Sequence, residues 1–139
     1  MEDNRLILDF IKKQKLAVFS TVSPQNIPQS AVLGFGQTND LEIIIDMFKT
    51  SRKYKNLQAN PNVSLVIEWD DNITVQYEGI AQELIGDKAT KYKNVYWKKN
   101  PKAKRWEKEK GITYFKITPK WIRYSDLRKH PWEIKEITL

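Results

Sequence analysis

Two runs of alternating residues, set back to back, constrain the fold of this chain more than anything else in it. Val63, Leu65, Ile67 and Trp69 alternate with smaller or polar residues, and Ile73, Val75, Tyr77, Gly79 and Ala81 alternate with Thr74, Gln76 and Glu78. Asp70-Asp71-Asn72 lies between the two runs, and Asp and Asn tolerate the backbone of a tight turn. A period of two places alternate side chains on opposite faces of an extended strand. The pair therefore predicts an antiparallel hairpin with one face turned to a core.

More extended segments surround it. Leu16–Val22 is rich in β-formers, Ser23-Pro24-Gln25-Asn26 reads as a turn, and Gln29–Phe35 reads as a second strand. Gly36–Asp40 is the next reversal. Leu41–Met47 is apolar at most positions, as expected of a strand buried on both faces. A last strand starts near Ile112 and takes in Tyr114, Phe115 and Ile117. Pro119 interrupts it before Trp121–Tyr124, so it belongs at an edge or a bulge. Residues 2–14 have Leu6, Ile7, Phe10 and Ile11 on one side of a helix. Six strands joined mostly by short turns predict a mainly β protein, a closed or nearly closed antiparallel barrel with peripheral helices, in one domain over residues 1–139.

Composition removes whole classes of function. The chain has no cysteine and one histidine, His130, so disulfides, cysteine–zinc sites and histidine clusters are absent and no metal site is expected. No apolar run approaches the ~18 residues that span a bilayer. The acidic start Met1-Glu2-Asp3-Asn4 is unlike a signal peptide, so a cytoplasmic protein away from membranes is expected. No triad or other catalytic constellation is visible. The net charge is +7, and residues 87–110 alone hold ten basic residues against three acids, a surplus equal to that of the whole chain. Within this stretch Ala89, Tyr92, Val95 and Tyr96 recur at spacings of three and four, giving a helix with one apolar face and lysines on the others. A solvated basic face accounts for them.

Residues 49–57, Lys-Thr-Ser-Arg-Lys-Tyr-Lys-Asn-Leu, carry the chemical signal. They follow the strand containing Ile43, Ile44 and Ile45, and Asn60-Pro61 closes the segment. Thr50 or Ser51 can cap a short helix here. Arg52 and Lys53 then occupy the first turn, where the helix dipole favours negative charge. Free N–H groups, a hydroxyl, a guanidinium and an ammonium at one helix start can form a phosphate site, and a solvated basic loop is the other reading of the same residues.

Taken in order, these segments resemble the FMN-binding split-barrel superfamily, which includes the pyridoxamine 5′-phosphate oxidases and small stress-related proteins. The resemblance runs through Ala17-Val18-Phe19-Ser20-Thr21-Val22, Ser30-Ala31-Val32-Leu33, Ser51-Arg52-Lys53, Asn56-Leu57-Gln58-Ala59-Asn60-Pro61-Asn62-Val63, Gly79 after Thr74–Glu78, and Ile117–Tyr124. It implies a six-stranded antiparallel split β-barrel of Greek-key type and a homodimer with flavin mononucleotide (FMN) at the interface. A deazaflavin is the alternative cofactor. It also implies that Ser51, Arg52 and Lys53 grip the phosphate and that Ala31, Val32, Met47 and Phe48 border the flavin. Thr74 falls where the oxidases carry a cofactor-contacting glutamine, and Trp121 lies near the interface or ring edge.

This chain departs from the oxidases at informative places. It has Ala31 where they carry arginine, Gly36 where they carry lysine, and Asp46-Met47 where they carry a tyrosine–threonine pair. The segment that binds pyridoxal phosphate in them has no counterpart between Asp87 and Gly111. The expected function is a flavin-dependent oxidoreductase of undefined small-molecule substrate, not a true pyridoxamine phosphate oxidase. A non-catalytic flavin-binding stress protein is the second reading. A single-stranded nucleic-acid-binding barrel, using the lysines with Tyr92, Tyr96, Trp97 and Trp106, is the third and least favoured.

Overall fold

The computed structural model describes residues 2–139. The sequence-predicted hairpin forms the middle of a single antiparallel sheet. Its strands are β1 (Leu16–Val22), β2 (Pro28–Gly34), β3 (Gly36–Gln37), β4 (Ile43–Phe48), β5 (Asn62–Ile67), β6 (Ile73–Glu83), β7 (Ile112–Asp126) and β8 (Glu133–Thr138). The order across the sheet is β2-β1-β5-β6-β7-β4-β3, with β8 paired to β7. The helices are α1 (Glu2–Lys12), α2 (Arg52–Ala59) and α3 (Lys88–Lys99), and a 3-10 segment spans Pro101–Trp106. The architecture is the expected mainly β, curled antiparallel sheet, but with eight strands rather than six.

The two extra strands have simple causes. Leu41 adopts a positive φ of 65° in a turn where the Thr38 N–H donates to the Glu42 carbonyl at 2.9 Å. This turn lets Gly36-Gln37 fold back onto Ile43-Ile44 as a short strand, where the sequence suggested only a reversal. The other addition, β8, pairs only with the second half of β7. Its two isoleucines, Ile134 and Ile137, stand three apart, so it lacks the alternation that identifies a strand.

One face of the sheet closes over the core. Phe19, Phe35, Ile43, Ile45, Leu65, Ile67, Val75, Tyr77, Ile117 and Ile122 are buried there, and α1 adds Ile7 and Ile11. Fully buried Tyr77 keeps its hydroxyl satisfied by donating to the Leu41 carbonyl oxygen at 2.7 Å. The double burial expected of Leu41–Met47 is real. Ile43, Ile45 and Met47 enter the main core, and Ile44 lies on the opposite face beneath Tyr96 of α3.

Two glycines mark places where backbones nearly touch. Strand β7 carries the bulge that Pro119 implied: Gly79 pairs with Pro119 and Glu78 with Trp121, which leaves Lys120 as the extra residue. A Cβ on Gly79 would sit 2.6 Å from the Thr118 carbonyl oxygen. At Gly36 a Cβ would stand 2.9 Å from the Tyr96 Cα, so α3 lies directly on β3.

Candidate functional site

The helix α2 starts as its sequence dictates. Ser51, not Thr50, is the N-cap; its backbone is extended and its Oγ accepts the Tyr54 N–H at 3.3 Å. The first turn holds no acidic residue. The six ion pairs among the described residues involve neither Arg52 nor Lys53. Asp46, in β4, feels the positive charge of Lys53. Burial pushes the Asp46 carboxyl above its ordinary value, while the Tyr96 hydroxyl, which donates to Oδ1 at 2.9 Å, and the Lys53 charge pull it down.

Three side chains fix the helix against the sheet. Leu57 enters the core. Tyr54 packs edge-on against Phe115, with ring centroids 6.0 Å apart. Its hydroxyl donates to Glu83 Oε1 at 3.1 Å, and the other Glu83 oxygen accepts from Thr113 Oγ1 at 2.6 Å. Asn56 is 2 % exposed and its Nδ2 donates to Thr21 Oγ1 and to Gln29 Oε1, each at 2.9 Å. Asn60 ends the helix in an extended conformation, as its position before Pro61 requires. The start of α2 is therefore held rigidly over the β1–β2 hairpin.

A pocket of about 90 Å³ opens at that start. Of the residues expected to form the site, Ala31, Arg52 and Lys53 line it. The remaining wall comes from Thr21, Gln29, Ser30 and Asn56, which sequence reasoning missed. Thr21 did carry a signal, since it is a polar residue on the inward register of β1 after Ala17 and Phe19. The pocket combines two cations, hydroxyls, an amide and the free N–H groups of a capped helix, a donor set that suits one tetrahedral anion.

The other expected residues lie elsewhere in the chain. Met47 is buried in the core. Phe48 is partly exposed at the end of β4, edge-on to Trp106. Val32 is 60 % exposed and points away from the core. Thr74 pairs with Ser125, and Trp121 pairs with Glu78 and Thr138 while its Nε1 donates to Glu136 Oε1 at 2.7 Å. β6 and β7 are three and four strands from β2, roughly 14–19 Å at the usual strand spacing. None of these residues lines the α2 pocket. A groove of about 400 Å³, lined by Ser20, Ser64, Glu78 and Lys120 among others, runs over the outer face of these strands and shares Thr21 with the α2 pocket.

Among the described residues, no group of three or more His, Cys, Asp or Glu is placed to hold a metal ion. No helix is long and apolar enough to cross a membrane. Of the aromatics on the basic segment, Tyr96 is buried, Trp97 packs edge-on against Tyr114, and Trp106 is exposed.

A family model described as pyridoxamine 5′-phosphate oxidase matches residues 4–126. No curated protein matches the sequence. Among solved structures, general stress protein 26 from Bacillus anthracis str. Sterne is 26% identical with a TM-score of 0.79, and the match covers all of both chains. A heme binding protein from Mycobacterium smegmatis is 15% identical with a TM-score of 0.82. The match covers 99% of this chain and 57% of that one, so the chain spans little more than half of that protein. HutZ, the heme storage protein from Vibrio cholerae, is 18% identical with a TM-score of 0.65, over 83% of this chain and 88% of that one. At these identities the two heme proteins share the fold.

Proposed function

Because the chain belongs to the pyridoxamine 5′-phosphate oxidase family, we propose that it binds FMN with the phosphate at the start of α2, and that it serves as a flavin-dependent oxidoreductase other than a pyridoxamine phosphate oxidase. The observation that carries this reading is the pocket walled by Arg52, Lys53, Asn56 and Thr21 at a helix start without an acid in its first turn. A bound phosphate would neutralise the two cations and accept the free N–H groups.

The division of labour is simple. A bound flavin supplies hydride-accepting chemistry itself, so the protein needs no acid, base or nucleophile of its own. Arg52 and Lys53 bind, and Ser51 and Asn56 keep the helix start in place. Gly36 argues against the oxidase reaction of the family's namesake. The space a lysine side chain would need at that position is taken by α3, since even a Cβ would meet the Tyr96 Cα at 2.9 Å.

We further propose that two copies pair over the outer face of β1, β2, β5 and β6. Leu16, Val18, Val32 and Val66 form an apolar stripe there, with Leu16, Val32 and Val66 exposed. Pairing would cover that stripe and let Thr74 and Trp121 of one copy approach the α2 pocket of the other. Likeness over full length to general stress protein 26 favours the second reading, a flavin-binding protein without a dedicated substrate. A heme role has the shared fold behind it; the sole imidazole, His130, is exposed in the turn between β7 and β8.

Titration with FMN, followed by quenching of flavin fluorescence, tests the binding reading; a deazaflavin is told apart by its absorption. Reduction of the bound flavin by NADH or NADPH and reoxidation by candidate acceptors then separates the enzyme from the non-catalytic protein. Absence of saturable binding contradicts the proposal, and binding without reduction by any donor favours the second reading.

A further inference from the structure

A larger cavity, about 730 Å³, lies where the end of α1, the β3–β4 turn and α3 meet. It shares no residue with the α2 pocket. Four lysines line it: Lys12 from α1 and Lys91, Lys98 and Lys99 from α3. With Val95, the three α3 lysines stand at i, i+4, i+7 and i+8, so they form one stripe of the helix facing the cavity. Like charges on such a stripe repel unless something neutralises them.

The two acids at the cavity leave its four lysines in excess. None of these four lysines takes part in an ion pair among the described residues. Two acids border the cavity, Asp40 and Glu42. Glu42 is engaged elsewhere, 3.4 Å from Lys116 Nζ and accepting from Thr38 Oγ1 at 3.0 Å. Lys99 forms the floor. Its ammonium donates to Gln37 Oε1 at 2.6 Å and to the Ile11 carbonyl oxygen at 3.3 Å, and it sits 3.8 Å from the Phe35 ring centroid. Burial pulls this lysine down to about 8, as expected of a half-buried cation with no anion beside it.

We propose that this cavity is a second ligand site, for a small molecule carrying several closely spaced phosphates on a non-aromatic body. The dimensions select that class. Lys91 and Lys98 are seven residues apart, about 10 Å along the helix, so the positive charge is spread over a length that several phosphates match better than one. Among the described residues, no aromatic ring lines the cavity, so it offers no platform for a nucleobase. Gln37, Thr38 and Asn39 supply neutral polar groups along the other wall. Lysine is suited to phosphate as a point charge without a fixed fork.

The test uses the full chain at about 0.15 M salt, where surface charges are screened beyond ~8 Å. Tripolyphosphate, inositol hexakisphosphate, inorganic phosphate and a short single-stranded oligonucleotide are titrated calorimetrically, with and without saturating FMN. Either of the first two should bind saturably, inorganic phosphate much more weakly, and FMN should not displace them. The exposed double variant Lys91→Gln/Lys98→Gln should weaken binding tenfold or more, whereas Arg52→Ala should leave it unchanged. The Lys99 Nζ resonance should shift, and its titration move to higher pH, when ligand is bound. Three results would overturn the proposal: no saturable binding of either polyphosphate, equal loss in Arg52→Ala, or tight binding of the oligonucleotide alone. Each leaves the FMN reading standing, because that rests on the other pocket.

Discussion

Asn56 of α2 donates a hydrogen bond to Thr21 of β1, Nδ2 to Oγ1 at 2.9 Å, across the wall of the pocket that also holds Arg52 and Lys53. The same amide group reaches Gln29 Oε1 at 2.9 Å, so one buried side chain ties the start of α2 to both strands of the β1–β2 hairpin. Asn56→Ala removes the donor from both partners. It should cost about 1–3 kcal/mol of stability, the penalty of leaving buried acceptors unpaired. Urea unfolding measures this directly. FMN affinity should fall in the same variant although Asn56 carries no charge.

Asp46 gives a pH signature. Its folded-state pKa is raised, mainly by burial. The stability it contributes is therefore fully present below the unfolded value of 3.8 and lost as pH rises through the folded value. Asp46→Asn keeps an acceptor for the Tyr96 hydroxyl and removes the charge. The variant should match the parent near pH 4 and become the more stable of the two toward pH 7. Denaturation at both pH values checks this, and a constant difference between the two proteins contradicts it.

The bulge in β7 sets a steric requirement. Gly79→Ala places a Cβ 2.6 Å from the Thr118 carbonyl oxygen and 2.8 Å from Ile117 Cγ2. Backbone has to shift, and overpacking of this kind costs about 1–3 kcal/mol. The midpoint of thermal or urea unfolding should drop accordingly. Ile80→Ala, one residue along and exposed, should have much less effect.

Val32 tests the proposed pairing of two copies. It is 60 % exposed, and the β-sheet register sets it beside Val18, which is itself beside Val66. Val32→Asp puts a charge in the middle of that stripe. Sedimentation should show a dimer for the parent and a shift to monomer for the variant, with weaker FMN binding at the same protein concentration. An unchanged sedimentation profile would place the interface elsewhere.

How far the fold was legible depended on whether a segment's pattern is local. The alternation in Val63–Ile67 and Ile73–Ala81 predicts β5 and β6, because one buried face imposes a period of two. Pro119 announced the bulge because a residue without an N–H cannot continue a ladder. Strand β8 escaped because it is held by pairing with β7 and not by a pattern of its own. The site divides in the same way. Ser51, Arg52 and Lys53 are consecutive and sit at a capped helix start, a local signal. Thr21, Gln29 and Asn56 become part of the pocket only through contacts between α2 and a hairpin some thirty positions earlier, and no spacing rule reports such contacts.

The central claim is that Arg52 and Lys53 hold the phosphate of FMN. The direct measurement is a fluorescence titration of FMN and of riboflavin, which lacks the phosphate, against the parent, Arg52→Ala and Lys53→Ala. A charge-assisted hydrogen bond is worth about 1.5–3 kcal/mol, so each substitution should weaken FMN roughly tenfold to a hundredfold. Riboflavin affinity should stay close to that of the parent. Equal losses for the two ligands, or no loss for FMN, would contradict the account.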